Sequence, residues 1–284
     1  MKGKTYLIGS AFIYGIAPML AKIAYRSGAN AMTLTFLRTF LMLPLLFIVM
    51  KKSGRSFRIS ARELCEITAL ALVGGTLTNL SLYLAYGYIS TGLATTLHFI
   101  YPLMIIVVSS LVYRERIRKI QLGAVMLVTI GIFMFVNLRS RASIVGVTLS
   151  LLSGIFYSFY VVYLDYSGID GMDLVKLTFY QAVIMSAGTL VFGAATDTIS
   201  FELMDAKSWV LSAVISLIVT AVALPLFQLG VREEGASTAG IISAFEPITT
   251  LVMGAAFLGE SMSAAQILGG ALILAGVTMA EKYA

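Results

Sequence analysis

Charge is the first thing this chain has little of. Only 12% of its 284 residues are Asp, Glu, Lys or Arg, while 59% are hydrophobic; an ordinary soluble domain carries roughly 25% and about 45–50%. No soluble fold could hide so much apolar surface, and too few residues remain between the apolar runs for a separate soluble domain. A single cysteine, Cys65, excludes an intramolecular disulfide; core packing is its expected role. One histidine and one cysteine cannot furnish an ordinary zinc site. The patterns GxxxxGK[ST], GxSxG and HExxH are missing, which excludes a nucleotide motor on this chain, a serine hydrolase elbow and a zinc protease helix. No pair of membrane aspartates suited to proteolysis is evident, since Asp165 falls at a helix edge. No cofactor is expected, except that coupling to protons stays open. The 20 Lys and Arg outnumber the 14 Asp and Glu, but they lie in short clusters rather than on one basic face, so no nucleic acid is expected as a partner.

What is present is a succession of apolar runs. A spanning helix needs roughly 20 mostly apolar residues, and the runs predict helices near 4–25, 31–50, 65–88, 92–112 and 118–137, then 144–165, 172–195, 208–230, 236–257 and 263–280. The first run opens with two lysines like a signal peptide, but it continues to about Ala24 with no evident cleavage site and is read as a retained helix. Short connections at YISTG and REEG make their flanking helices antiparallel neighbours. With the N-terminus inside, most Lys and Arg fall on the cytoplasmic side, which predicts both termini cytoplasmic in a plasma or bacterial inner membrane. Arg139 and Arg141 fall outside on this scheme.

The halves resemble one another. A shift of 145 places Pro102 on Pro247, Glu115 on Glu260, Gln121 on Gln266, Gly131 on Gly276 and Tyr101 on Glu246; a shift of 143 places Leu34, Thr35 and Phe36 on Leu177, Thr178 and Phe179, Arg38 on Gln181, and Tyr14 on Tyr157. Prolines and polar residues in one register are hard to obtain by chance. Each copy, 4–137 and 144–281, holds five helices, an odd number, so the second enters the membrane from the opposite side. Inverted repeats of this kind recur in secondary transporters, where two similar halves exchange conformations around a central site.

The stretch IYPLMIIVVSSLVYRERI and its counterpart FEPITTLVMGAAFLGESM, with Pro102 and Glu115 matched by Pro247 and Glu260, resemble the paired signature of the EamA-type branch of the drug/metabolite transporter superfamily. The resemblance covers essentially the whole chain, including Phe36, Leu37 and Arg38. It implies an all-α membrane fold of ten helices, two inverted five-helix repeats around a central cavity, and usually export of small metabolites such as amino acids. Tryptophan is nearly absent; Trp209 alone stands at a helix start, so a Trp-lined cation cage is not expected.

Glu246 is the leading candidate for the site. It precedes Pro247 near the middle of a helix, where a charge is costly by at least about 2.5–3.5 kcal/mol. Contact with the solute or a coupling proton would explain it; a carboxylate paired only for folding is the plainer alternative. Arg38 lies well inside the second helix and is read as a partner of Glu246, an anchor for a solute carboxylate, or a snorkelling side chain. His98 lies one turn from Tyr101, although lone helical histidines often serve packing. Tyr14, Tyr83, Tyr86, Tyr101, Tyr157, Tyr160 and Tyr180, with Asn79, Gln181 and Gln228, form an unusually polar set, suited to an amphiphilic metabolite. Within it Tyr14, Tyr101, Tyr157, Asn79, Tyr83 and Gln181 are the expected ligands beside Glu246, Arg38 and His98. Tyr6, Tyr25, Tyr88 and Tyr113 read as interfacial belt residues.

All five prolines fall inside apolar runs; kinking is the default reading, and Pro18, Pro102 and Pro247 are the candidates for gating. Gly146, Ser150, Gly154 and Ser158 form a small-residue stripe that lets helices approach closely. Glu115 among Arg114, Arg116 and Arg118 is expected in a structural ion pair. The sequence thus predicts a carrier of a small organic solute in the lipid bilayer, monomeric or homodimeric. An intramembrane lipid- or metabolite-modifying enzyme and a passive solute channel are the alternatives.

Overall fold

The computed structural model describes residues 2–89, 91–134, 143–259 and 262–283; Arg139, Arg141 and Glu260 lie outside the described residues, as do positions 135–137 of the fifth expected helix. The described chain is all-helical: α1 (Lys2–Arg26), α2 (Ala31–Phe40), α3 (Leu43–Lys52), α4 (Ala61–Ala69), α5 (Thr78–Ala85), α6 (Thr91–His98), α7 (Tyr101–Tyr113), α8 (Lys119–Phe133), α9 (Ile144–Tyr166), α10 (Leu174–Ala195), α11 (Ala206–Ile215), α12 (Leu224–Ser243), α13 (Phe245–Leu258) and α14 (Ala264–Tyr283). Among the described residues, seven segments are long and apolar enough to cross a membrane: Lys2–Arg26, Ala31–Lys52, Ala61–Ala85, Leu93–Tyr113, Ile144–Tyr166, Leu174–Ala195 and Ala206–Leu258. This is a multi-pass membrane protein, and its exposed large side chains, such as Leu111, Val191 and Leu203, suit lipid rather than water. The last segment has 53 residues and is broken at Gly235, whose φ of 80° and ψ of 164° no helix contains. Two shorter apolar helices are Lys119–Phe133 and Ala264–Ala280.

Several helices expected to be continuous are interrupted, and proline accounts for the positions. Pro44 and Pro102 each stand at the second residue of a new helix, after breaks at Leu41 to Met42 and Phe99 to Ile100. Pro247 lies in the first turn of α13, just after the break at Ala244. A proline has no N–H for the carbonyl four residues back and its ring collides with that carbonyl. Pro18 is different, since α1 runs through it unbroken. Leu70–Leu77 and Ser216–Ala223 are wider π-helical turns joining α4 to α5 and α11 to α12; such insertions are frequent at functional sites.

The same local devices recur at a nearly constant separation. Asn30 caps α2 by accepting from the Thr33 N–H at 2.7 Å, and Asp173 caps α10 by accepting from Lys176 N–H at 3.0 Å. Ser60 caps α4 and Asp205 caps α11. Gln121 accepts from the Arg118 N–H, and Gln266 from the Ser263 N–H, both at 2.9 Å. Arg114 and Gly259 end α7 and α13 in the left-handed conformation, with φ of 55° and 69°. These satisfy groups that a helix end leaves unpaired.

Packing brings related helices together head to tail. A Cβ on Gly131 would lie 2.5 Å from the Gly269 carbonyl oxygen, and one on Gly276 would lie 2.6 Å from that of Ala124. As the α8 number rises the α14 number falls, so the two run antiparallel. The α2 and α3 pair also runs against α10, with Asn30 Nδ2 donating to the Thr198 carbonyl at 3.0 Å at one end and Arg55 pairing with Asp173 at 2.8 Å at the other. α1 packs on α11, α12 and α13, while α9 packs on α5, α6, α7 and the π turn at Leu70–Leu77. The small-residue stripe of α9 works by close approach: a Cβ on Gly154 would stand 2.7 Å from the His98 carbonyl, and Ser158 Oγ donates to that of Tyr101 at 3.3 Å.

Two expectations are corrected. Cys65 is exposed on α4 rather than packed in the core, because the buried residue of that amphipathic turn is Ile67. Glu115 takes hydroxyls as partners, not the flanking arginines: Ser237 Oγ donates to it at 2.9 Å and Tyr166 Oη at 3.2 Å. The left-handed turn at Arg114 ends α7 beside α9 and α12, where those hydroxyls stand.

Candidate functional site

Arg38 is placed by the end of α2. Its carbonyl, left without a full helical partner near the break before α3, accepts from Ser216 Oγ and Thr220 Oγ1, both at 2.7 Å. The π turn at Ser216–Ala223 therefore fixes the backbone that carries the guanidinium. Glu246 is placed by the first turn of α13, against which α1 passes closely enough that a Cβ on Gly15 would meet the Glu246 carbonyl at 2.7 Å. Thr250 Oγ1 reaches both the Gly15 and Glu246 carbonyls at 3.1 Å. This contact sets Tyr14, the neighbour of Gly15, beside Glu246.

The two charges lie within electrostatic reach of each other without forming an ion pair. Arg38 and Glu246 act on each other electrostatically, yet their nitrogens and oxygens stand more than 4.0 Å apart, and neither charged head hydrogen-bonds to any described residue. Both side chains retain partial exposure. Tyr14 and Tyr157 lie within electrostatic reach of both charges, and Tyr101 within reach of Glu246. An unpaired charge in the hydrocarbon layer is expensive unless water or a ligand reaches it.

Aromatic rings form one wall of this region. Tyr101 and Tyr157 meet edge to face at 4.7 Å between centroids, and His98 lies 5.5 Å from the first and 5.6 Å from the second. His98 Nδ1 is 2.9 Å from Ser153 Oγ, whose hydroxyl donates to the Ser150 carbonyl at 2.6 Å. Both contacts are hydrogen bonds together when Nδ1 carries the proton, which leaves Nε2 as an acceptor. The Tyr101 hydroxyl is buried, with no hydrogen bond of good geometry among the described residues, and Ser243 lies close to it.

Of the other expected ligands, Tyr83 acts on Tyr25, which acts in turn on Arg38. Asn79 is partly buried on α5 and makes no hydrogen bond with the set. Gln181 is fully buried in a closed ring: Gln228 Nε2 donates to Gln181 Oε1 at 2.6 Å and to Tyr160 Oη at 3.2 Å. Tyr25 lies within electrostatic reach of Arg38 and Tyr86 within that of Glu246, while Tyr25 keeps the exposure expected of a belt residue. No residue pattern marks Ser153, whose role depends on the α6 and α9 contact. Two apolar grooves along α10, one lined by Phe40, Phe47 and Phe179 and the other by Leu72 and Phe192, hold none of the polar set. No metal-ligating cluster occurs among the described residues.

Comparison with known proteins gives concordant matches. The model of the EamA-like transporter family matches residues 1–137 and again residues 144–280. An uncharacterized transporter of Archaeoglobus fulgidus is 26% identical over 282 residues, 99% of this chain and 96% of its own. The uncharacterized transporter YcbK of Bacillus subtilis is 23% identical, over 94% of this chain and 88% of its own. One crystal structure superposes with a TM-score of 0.84 over 98% of this chain and 96% of that one, at 12% identity, a likeness of fold alone.

Proposed function

The chain belongs to the EamA-like transporter family, and from that premise we propose that it carries a small zwitterionic solute, an amino acid or a close relative, by alternating access. It is a membrane transporter and not an enzyme. The observation that carries the finer reading is the gap between Arg38 and Glu246. Two opposite charges within apolar helices, each without a bonded partner among the described residues, match the carboxylate and ammonium of one bridging solute. The phenols of Tyr14, Tyr101 and Tyr157, with His98, supply an amphipathic wall for its side chain. Glu246 is also the group on which a coupling proton would ride, and the family resemblance favours export.

Ten crossings in two inverted copies make alternating access workable. The double family match, the recurring caps, the break at Gly235 and the antiparallel packing of α8 with α14 all support that arrangement. The test is counterflow of radiolabelled neutral L-amino acids in proteoliposomes. Saturable exchange is expected, lost on Glu246→Gln with folded yield unchanged. Full exchange by that variant refutes the reading, and non-saturable flux without counterflow points to a channel.

A further inference from the structure

If the halves are inverted copies, as proposed above, each contact at one end of the bundle has a mate at the other, and a difference between mates reports the conformation. Positions 236–244 are buried without exception, whereas among their described mates Leu93, Thr95, Leu97 and His98 are partly exposed and only Ala94, Thr96 and Phe99 are buried. In α9, Tyr160, Val161, Val162 and Leu164 are buried; their mates in α1, Ala17, Pro18, Met19 and Ala21, are partly exposed. The helix contacts differ in the same sense. The last turns of α12 pack on α7, where a Cβ on Gly240 would lie 2.8 Å from Ile105 Cδ1. The mate pair, α6 and α13, makes no comparable contact among the described residues.

We infer that the solute path stands open between α6 and α13 and is held shut between α7 and α12, with Glu115 as the latch. Glu115 follows α7 and accepts from Ser237 on α12 and Tyr166 on α9, so one carboxylate ties three helices drawn from both halves. Asp165 reinforces it by accepting from the Ala236 N–H at 2.7 Å, just after the Gly235 turn, and Tyr113 stacks on Tyr166 at 3.9 Å. The Arg55 to Asp173 ion pair at this end is exposed, and exposed pairs hold weakly. On the open side Tyr86 meets Thr95 at 3.3 Å and lies within electrostatic reach of Glu246, so the opening leads toward the charged pair.

The test labels engineered cysteines with a water-soluble maleimide in purified protein carrying Cys65→Ser. Thr95→Cys reacts and Thr238→Cys does not. Adding Glu115→Ala to Thr238→Cys raises its labelling roughly tenfold or more, the scale of a lost charge-assisted hydrogen bond. Ser237→Ala, a milder change, moves it in the same direction and serves if Glu115→Ala does not fold. The inference falls if Thr238→Cys reacts as fast as Thr95→Cys before the latch is cut, or stays protected in a folded latch variant. Labelling needs no solute, so its failure is separable from failure of the counterflow assay.

Discussion

At helix ends and packing seams, related positions in the two halves carry the same device; at the middle of the membrane they do not. Asn30 and Asp173 both cap helices, Ser60 and Asp205 do likewise, and Gly131 and Gly276 permit one backbone contact twice. In the middle, Arg38 corresponds to Gln181 and Glu246 to Tyr101. Each of these central pairs has one charged member, partly exposed and unpaired among the described residues, and one neutral member, buried. The backbone problem is the same in both copies and has one solution. On the function proposed, the binding problem is posed once, by a solute that is not itself two-fold symmetric.

The largest effect should come from making the middle alike. Arg38→Gln installs the residue of the other half and removes a charge-assisted contact worth about 1.5–3 kcal/mol, so counterflow should fall roughly tenfold to a hundredfold. Because the Arg38 guanidinium has no bonded partner to orphan among the described residues, thermal stability in detergent should hold or rise; a collapse in stability would make it a structural residue. Next, Gly131→Val and Gly276→Val should each lose about 1–3 kcal/mol through backbone overlap, seen as similar drops in the unfolding midpoint. A large drop in one alone would break the equivalence of the seams. Smallest, Asn30→Ala and Asp173→Ala should each cost about 0.5–2 kcal/mol as lost caps, with the ratio of solute affinities unchanged.

Arg38 and Glu246 were legible as candidates because a charge inside an apolar run needs a reason wherever the chain goes. The breaks at Pro44 and Pro102 could have been read the same way, since each proline forbids a specific bond, but an apolar run suggests an uninterrupted helix. Gln181 was legible as polar but not as sealed. Its ring with Gln228 and Tyr160 joins α9, α10 and α12, and their relative rotations are decided by packing.

Composition and run length alone compelled a membrane-spanning helical protein, because backbone polar groups in hydrocarbon must be paired within the segment. The register of prolines and polar residues further exposed the repeat. Which mates are buried and which partly exposed was decided only by the folded bundle. Identical local sequences can sit in either state, and the choice depends on contacts such as Glu115 with Ser237 that join residues 122 positions apart.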